Sequence, residues 1–237
     1  MTISVIGLNH KSANIDIRER FSFTSDSASL LLRRIKKVRD IFEVIVVSTC
    51  NRTEIYCEST NGADDIKNWL LSEKEYKPFA KHLYIHQEED AIKHLFKVVA
   101  GLDSMVIGES EVLGQVKTAY KTALDNKSID GKLKRLFEYS FSVAKNVRTN
   151  TDIGGNAISF MYTSILLIKK IFSTVEEKKC LLIGAGEMTE LALKYLKSNN
   201  VNEITICNRK EEKGKKLAIE NGCRYSNLNN LSNIIHE

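Results

Sequence analysis

Hydrophobic positions in the first third of the chain follow two periods. Ile3 to Leu8 is a short apolar run that reads as a buried strand. Leu30, Leu31, Ile35 and Val38 recur at helical spacing within residues 26–39. Ser25 or Asp26 is placed to cap that helix, since a short side-chain oxygen satisfies its first open amides. Ile41 to Ser48, rich in Val and Ile, predicts a second strand, and the alternating Thr53 to Glu58 a third. A tight turn at Cys50-Asn51-Arg52 joins them. Asp64 to Leu71 predicts another helix with Trp69 on its apolar side, and Leu83 to Ile85 a short last strand. The order βαββαβ is the signature of a ferredoxin-like split sheet.

From Glu88 onward the pattern is helical. Ala91, Leu95, Val98 and Val99 mark one helix, ended by Gly101. Leu113, Val116, Ala119 and Tyr120 mark a second, and Leu133, Leu136, Phe137, Phe141 and Ala144 a third. Gly154-Gly155 is expected to break the chain, and Ile158 to Phe172 to form an apolar spacer helix. After Lys178-Lys179, Cys180 to Ile183 reads as a strand running into Gly184-Ala185-Gly186-Glu187-Met188-Thr189, then a helix through Leu196 and a strand from Glu203 to Cys207. This β-turn-α-β order, with a third short element near Cys223, opens a dinucleotide fold. Such a fold takes about six strands. The roughly 60 residues from 178 onward are too few to close it, so a truncated chain is expected. The fold class is therefore α+β, a ferredoxin-like βαββαβ module with added helices, followed by an incomplete Rossmann-type α/β unit. The division expected is a catalytic domain over 1–154, a connecting helix over 155–177 and a partial dinucleotide-binding domain over 178–237.

With 237 residues, 43% of them hydrophobic, the chain has room for one large domain or two ordinary ones. A net charge of +5 and a pI near 8.8 suit an anionic partner, or more simply a lysine-rich surface. The five cysteines, Cys50, Cys57, Cys180, Cys207 and Cys223, include no CxxC pair and no Cys/His set at zinc spacing. Reduced thiols and no metal are expected. No basic leader precedes an apolar core at the start, and the longest apolar run within a helix, Ile165 to Ile168, cannot span a bilayer. A cytoplasmic protein is expected.

Four features carry chemistry. Cys50 sits where an apolar strand turns, with Thr49, Ser48 and Asn51 as hydrogen-bonding neighbours and Arg52 placed to favour a thiolate. The plainer alternative is a buried hairpin cysteine beside an Arg52–Glu54 surface pair; Cys57, inside an alternating strand, reads as core. The loop Gly101 to Glu109 is bounded by glycines, and Ser104, Glu109 and Gln115 supply polar groups for an amino-acid head. His94 lies on the helix before it, where a bond to a backbone carbonyl is the ordinary role. Gly184-x-Gly186-x-x-Thr189, between a strand and a helix, resembles the dinucleotide fingerprint, with Ala185, Glu187 and Met188 in the same turn. At the end of the next strand Asn208-Arg209 replaces the carboxylate usual for NAD, which favours NADPH.

Together these residues resemble glutamyl-tRNA reductase. Asn9-His10-Lys11 with Ile17-Arg18-Glu19 resembles the family's opening, and Ser48 to Glu54 its nucleophile turn. His94-Leu95-Phe96, Gly101 to Met105, Gly108-Glu109 and Gly114 to Lys117 resemble its central signature. Ala144 to Arg148, Thr151 to Gly154 and Ala185-Gly186-Glu187 extend the likeness over essentially the whole chain. The resemblance implies that Cys50 attacks the ester of glutamyl-tRNA(Glu) and that NADPH reduces the thioester to glutamate-1-semialdehyde, the first step of tetrapyrrole and heme synthesis. Thr49, Arg52, Ser104 and His94 would line the glutamate pocket, Arg52 pairing with the substrate carboxylate and His94 moving a proton or orienting the ester. It also implies glutamate-1-semialdehyde aminomutase as a partner, and a homodimer for the full-length family through a C-terminal helical domain that this chain is expected to lack. The alternatives are a fragment limited to acyl transfer or ester hydrolysis, and a non-catalytic remnant that binds tRNA or a partner. An ordinary NADP-dependent dehydrogenase would not need Cys50.

Overall fold

The computed structural model describes residues 1–105, 107–109, 111–155, 160–172 and 174–235. They fall into two units, Met1–Ala157 and Ile158–Glu237.

The first unit runs β1 (Thr2–Asn9), α1 (Ile15–Arg20), α2 (Ser25–Ile35), β2 (Ile41–Ser48), β3 (Arg52–Ser59), α3 (Ala63–Ser72), β4 (Tyr84–Gln87), α4 (Glu88–Val99), α5 (Glu111–Asp125), α6 (Lys132–Asn150) and α7 (Asp152–Gly155). Its sheet has the order β2-β3-β1-β4 with every pair antiparallel. That is the ferredoxin-like arrangement expected from the element order. β3 is buried at all eight positions, so helices cover the sheet on both faces. One continuous core joins Val5, Ile6 and Leu8 of β1, Val44 to Val47 of β2 and Ile55 to Cys57 of β3 to Leu31, Leu95, Val116 and Phe137 of the helices.

The structure departs from expectation in several places. α1 was not expected; it is six residues long with none buried, so it leaves no periodic signal. The cap of α2 is Thr24, whose side chain accepts from the Ser27 amide, rather than Ser25 or Asp26. That helix ends at Ile35, short of residue 39, and Leu30 is 61% exposed. β3 starts one residue early, at Arg52, and β4 one residue late, at Tyr84. Gly154 and Gly155 are the last two residues of α7; residues 156–159, where the expected spacer helix would begin, lie outside the description. Gly101 ends α4 as expected, at φ +75°, a conformation natural to glycine.

The second unit runs α8 (Phe160–Ile171), β5 (Cys180–Ile183), α9 (Glu187–Ser198), β6 (Ile204–Asn208), α10 (Glu211–Glu220), β7 (Arg224–Asn227) and α11 (Leu231–Ile234). Its three strands are parallel in the order β5-β6-β7, an incomplete Rossmann-type sheet. Leu193, Leu196, Val201, Ile204, Ile206 and Ala218 form its core. The charged run from Arg209 leads into α10, which buries Gly214, Leu217 and Ala218 and ties Lys215 to Glu211 at 2.5 Å. Among the described residues no helix is long and apolar enough to cross a membrane.

Candidate functional site

β2 stops at Ser48 and β3 starts at Arg52, so Thr49, Cys50 and Asn51 form the link. The link is closed from inside. The Thr49 amide donates to the Arg52 carbonyl at 2.8 Å, and Thr49 Oγ1 accepts from the amides of Asn51 and Arg52 at 3.2 Å each. It is also held from outside. The His10 amide donates to the Asn51 carbonyl at 3.0 Å, and Arg18 Nη1 donates to the Cys50 carbonyl at 2.7 Å and to Asn51 Oδ1 at 3.3 Å. The cysteine on this tethered turn is exposed. A thiol fixed through its backbone while its side chain stays accessible is suited to attack an acyl carbon.

Arg52 does not lie beside that thiol in solvent. It is 2% exposed, and its guanidinium donates to Glu54 Oε1 at 2.8 Å, to Asp103 Oδ2 at 3.1 Å and to the Asp103 carbonyl. The cation that bonds the Cys50 carbonyl is Arg18. The surface pair weighed for Arg52 and Glu54 is a buried one, because both side chains point from β3 to the same covered face.

Glu54 is the centre of the buried cluster. Its Oε1 accepts from Arg52, from His94 Nε2 at 2.8 Å and from Tyr84 Oη at 2.5 Å; its Oε2 accepts from Tyr56 Oη at 2.7 Å. Burial alone pushes this carboxyl up. The hydrogen bond from His94 and the charge of Arg52 outweigh it and hold Glu54 well below the usual carboxylate range. Burial, followed by the Glu54 charge, pushes the Tyr56 and Tyr84 phenols up. His94 thus bonds a carboxylate and not the backbone carbonyl considered for it. His86 packs against it with ring centres 4.8 Å apart.

The loop after α4 reaches this cluster through Asp103, which also binds Lys11 Nζ at 2.5 Å. Ser104 is half-buried near Glu109, its Oγ lacking a bond of good geometry among the described residues. Burial raises the Glu109 carboxyl; the attraction of Ser104 offsets this only in part, and Glu111 adds to the rise. Gln115 is half-buried on α5. The structure therefore gathers Thr49, Cys50, Asn51 and Arg52 on one turn and links Arg52 to the loop and to His94. Glu54, Tyr84, Asp103 and Arg18 are the members that sequence reasoning did not assign to the site.

In the second unit the Gly184 amide donates to the Cys207 carbonyl at 2.7 Å, and Gly184 has φ +118°. Gly186 precedes α9 without a side-chain cap, and a Cβ placed there meets nothing within 4 Å. Open amides at a helix start, with space before them, fit a dinucleotide phosphate. Ala185 is buried and Met188 exposed. Asn208 ends β6 with Nδ2 donating to the Lys210 carbonyl at 2.7 Å, and Arg209 is exposed.

These features define a class: a cysteine-presenting α+β module joined in one chain to a dinucleotide-type α/β unit. The sequence model described as "Glutamyl-tRNAGlu reductase, N-terminal domain" matches residues 6–151, and that described as "Shikimate / quinate 5-dehydrogenase" matches residues 166–237. The chain belongs to the glutamyl-tRNA reductase family. It is 40% identical over 237 residues to the glutamyl-tRNA reductase of Idiomarina loihiensis, covering 99% of this chain and 56% of that one. Against the enzyme of Xylella fastidiosa it is 44% identical over 223 residues, covering 94% and 51%. The structure of glutamyl-tRNA reductase from Methanopyrus kandleri superposes at a TM-score of 0.62 and 26% identity, over 97% of this chain and 55% of that one. The chain spans about half the length of these relatives.

Proposed function

We propose that Cys50 accepts the glutamyl group of glutamyl-tRNA as a thioester, which is then reduced with NADPH to glutamate-1-semialdehyde at the entry to tetrapyrrole synthesis. The observation that carries this is the exposed Cys50 on a turn tied to α1, to His10 just after β1, and to β3. The sulfur attacks the carbonyl carbon of the aminoacyl ester. The ester C–O bond breaks, the ribose hydroxyl leaves with a proton, and the acyl group stays on sulfur. A thioester accepts hydride where a carboxylate resists it; a bound NADPH would supply that hydride, the C–S bond would break, and Cys50 would leave as the thiolate as the aldehyde is released. In this reading Gly184, Ala185, Gly186, Glu187, Met188 and Thr189 hold the pyrophosphate. Arg209, with Asn208 in place of a carboxylate, favours a 2′-phosphate.

The substrate pocket of this reading comprises Thr49, Asn51, Ser104, Glu109 and Gln115 around the cysteine. A substrate carboxylate reaching Arg52 takes the place of Asp103, the more exposed of its two acidic partners. His94, held by Glu54, orients the ester or relays a proton. The reactive aldehyde favours direct transfer to an aminomutase, and the homodimer of the family belongs to the same reading.

The test is incubation of purified chain with radiolabelled glutamyl-tRNA. Label should remain on the protein through a bond cleaved by hydroxylamine or added thiol, and should vanish in Cys50→Ser. Added NADPH should convert it to aldehyde. Folded protein that retains no label refutes acyl transfer; label without aldehyde restricts this chain to transfer.

A further inference from the structure

A groove of about 490 Å³ lies between α5 and α6, and none of Thr49 to Arg52 lines it. Lys117, Lys145 and Arg148 line it, with the hydroxyls of Ser142 and Thr149 and the ring of Phe141. α6 carries five cations and one carboxylate, Glu138, whose Oε1 accepts from Tyr120 Oη at 2.6 Å. Among the described residues, no acidic side chain forms an ion pair with Lys117, Lys145 or Arg148. Lys117 sits over the Phe141 ring, and Arg148 Nη1 reaches the Gly108 carbonyl at 3.3 Å. Three cations left without carboxylates along one open groove form an electrostatic footprint for a polyanion.

We infer that this groove seats the phosphate backbone of the RNA whose charged 3′ end is presented to Cys50. The inference rests on the acyl-transfer reading for the identity of the polyanion. Its geometry is independent of that reading. The Gly108 amide donates to the Gly101 carbonyl at 2.9 Å, and the same loop carries Asp103 to Arg52, two residues from Cys50. One loop therefore ties a residue of the groove, Arg148, to Arg52 at the base of the cysteine turn. A single RNA strand is long enough to lie along α5 and α6 and still present its end at the turn that this loop anchors. The open shape suits a polymer tracked by its backbone better than a small anion enclosed on all sides, and hydroxyls interleaved with cations are common donors to phosphate oxygens.

The experiment measures binding of glutamyl-tRNA to the full 237-residue chain across a salt series. Lys117→Gln with Lys145→Gln is compared with wild type and with an equal-charge control pair, Lys67→Gln with Lys74→Gln, on exposed parts of α3 and the segment after it. The slope of log affinity against log salt should lessen by about 1 for each lysine lost from the groove. It should stay near the wild-type value in the control pair, and all proteins should keep the same melting temperature. Equal slopes in wild type and groove variant, or equal losses in groove and control variants, overturn the groove while leaving acyl transfer to Cys50 intact. Wild-type binding with the groove-dependent slope but no label on Cys50 overturns acyl transfer and leaves the groove standing. No RNA binding by the wild type overturns the groove.

Discussion

Replacing Glu54 with glutamine isolates one term of the buried cluster. Glutamine keeps the shape and an acceptor at Oε1, where Arg52, His94 and Tyr84 converge. Its amide nitrogen falls where Oε2 meets Tyr56, and that hydroxyl can reverse to accept. What disappears is the negative charge facing Arg52, in a place where neither side chain meets water. Breaking a buried pair costs about 3–5 kcal/mol. Asp103 remains beside Arg52, so the cost should sit near the lower end, about 3 kcal/mol, a large part of a typical domain's roughly 5–15. Trp69 is the only tryptophan and packs on Tyr76 in the first unit, so its fluorescence reports unfolding of that unit. With a urea slope of about 1–3 kcal/mol/M, the midpoint should fall by about 1 M or more. The pH dependence has a definite sign. A carboxyl depressed in the folded state contributes fully above its unfolded value of about 4.3 and loses its contribution as pH falls from there through the native value. The gap between wild type and Glu54→Gln should stay constant from neutral pH down to about 5 and shrink below about 4. A midpoint within about 0.3 M of wild type at pH 7 would refute the assignment of Glu54 as the charged centre of the cluster.

Iodoacetamide should alkylate Cys50 in the native protein and spare Cys57. Cys57 is fully buried, bonded to Ser4 Oγ at 3.1 Å and pushed up to about 11, chiefly by burial; peptide mapping that finds Cys57 modified first would contradict this. Arg18→Ala removes the bond to the Cys50 carbonyl and should slow acyl transfer about tenfold, the equivalent of roughly 1.4 kcal/mol, with partial recovery in Arg18→Lys. An unchanged single-turnover rate would show that the turn holds without Arg18. In the second unit, Gly184→Ala forces an alanine into φ +118° and should destabilise by about 1–3 kcal/mol. Gly186→Ala meets open space, so it should leave the melting temperature alone yet weaken NADPH binding, measured by nucleotide fluorescence; equal effects of both glycines on stability would be the contrary result.

The strands of the first unit were legible because their apolar runs are bounded by polar turns, and pairing them antiparallel in the split order needs only the element sequence. α1 and α10 were not, since one buries nothing and the other buries three small or aliphatic positions behind a charged surface. The Cys50 turn was legible as a turn. The environment of Arg52 was misread by a single residue of register. With β3 begun at Thr53, Arg52 belongs to the turn and faces solvent; with β3 begun at Arg52, period two places Arg52, Glu54 and Tyr56 on one face. A cation, a carboxylate and a phenol on one face of a strand buried throughout must satisfy one another, and that much was available from the sequence.

What sequence order does not contain is which distant residues complete the cluster, and here the sheet register decides. Glu54 and Tyr84 both lie opposite Gly7, one on each side of β1. A Cβ at Gly7 would stand 2.5 Å from the Thr53 carbonyl oxygen and 2.9 Å from Glu54 Cγ, so the side chain of Glu54 crosses the space that a larger residue would fill. That crossing lets a carboxylate on β3 reach Tyr84 on β4 and, beyond it, His94 on α4. Gly7 in the middle of a strand costs conformational entropy and weakens pairing. In return the central strand is thin at one point, and the charge anchoring Arg52 at the base of the cysteine turn is shared with the helix that leads into the Asp103 loop. The exposed thiol and the buried ion cluster thus share one end of a hairpin, Cys50 in its turn and Arg52 and Glu54 at the start of β3.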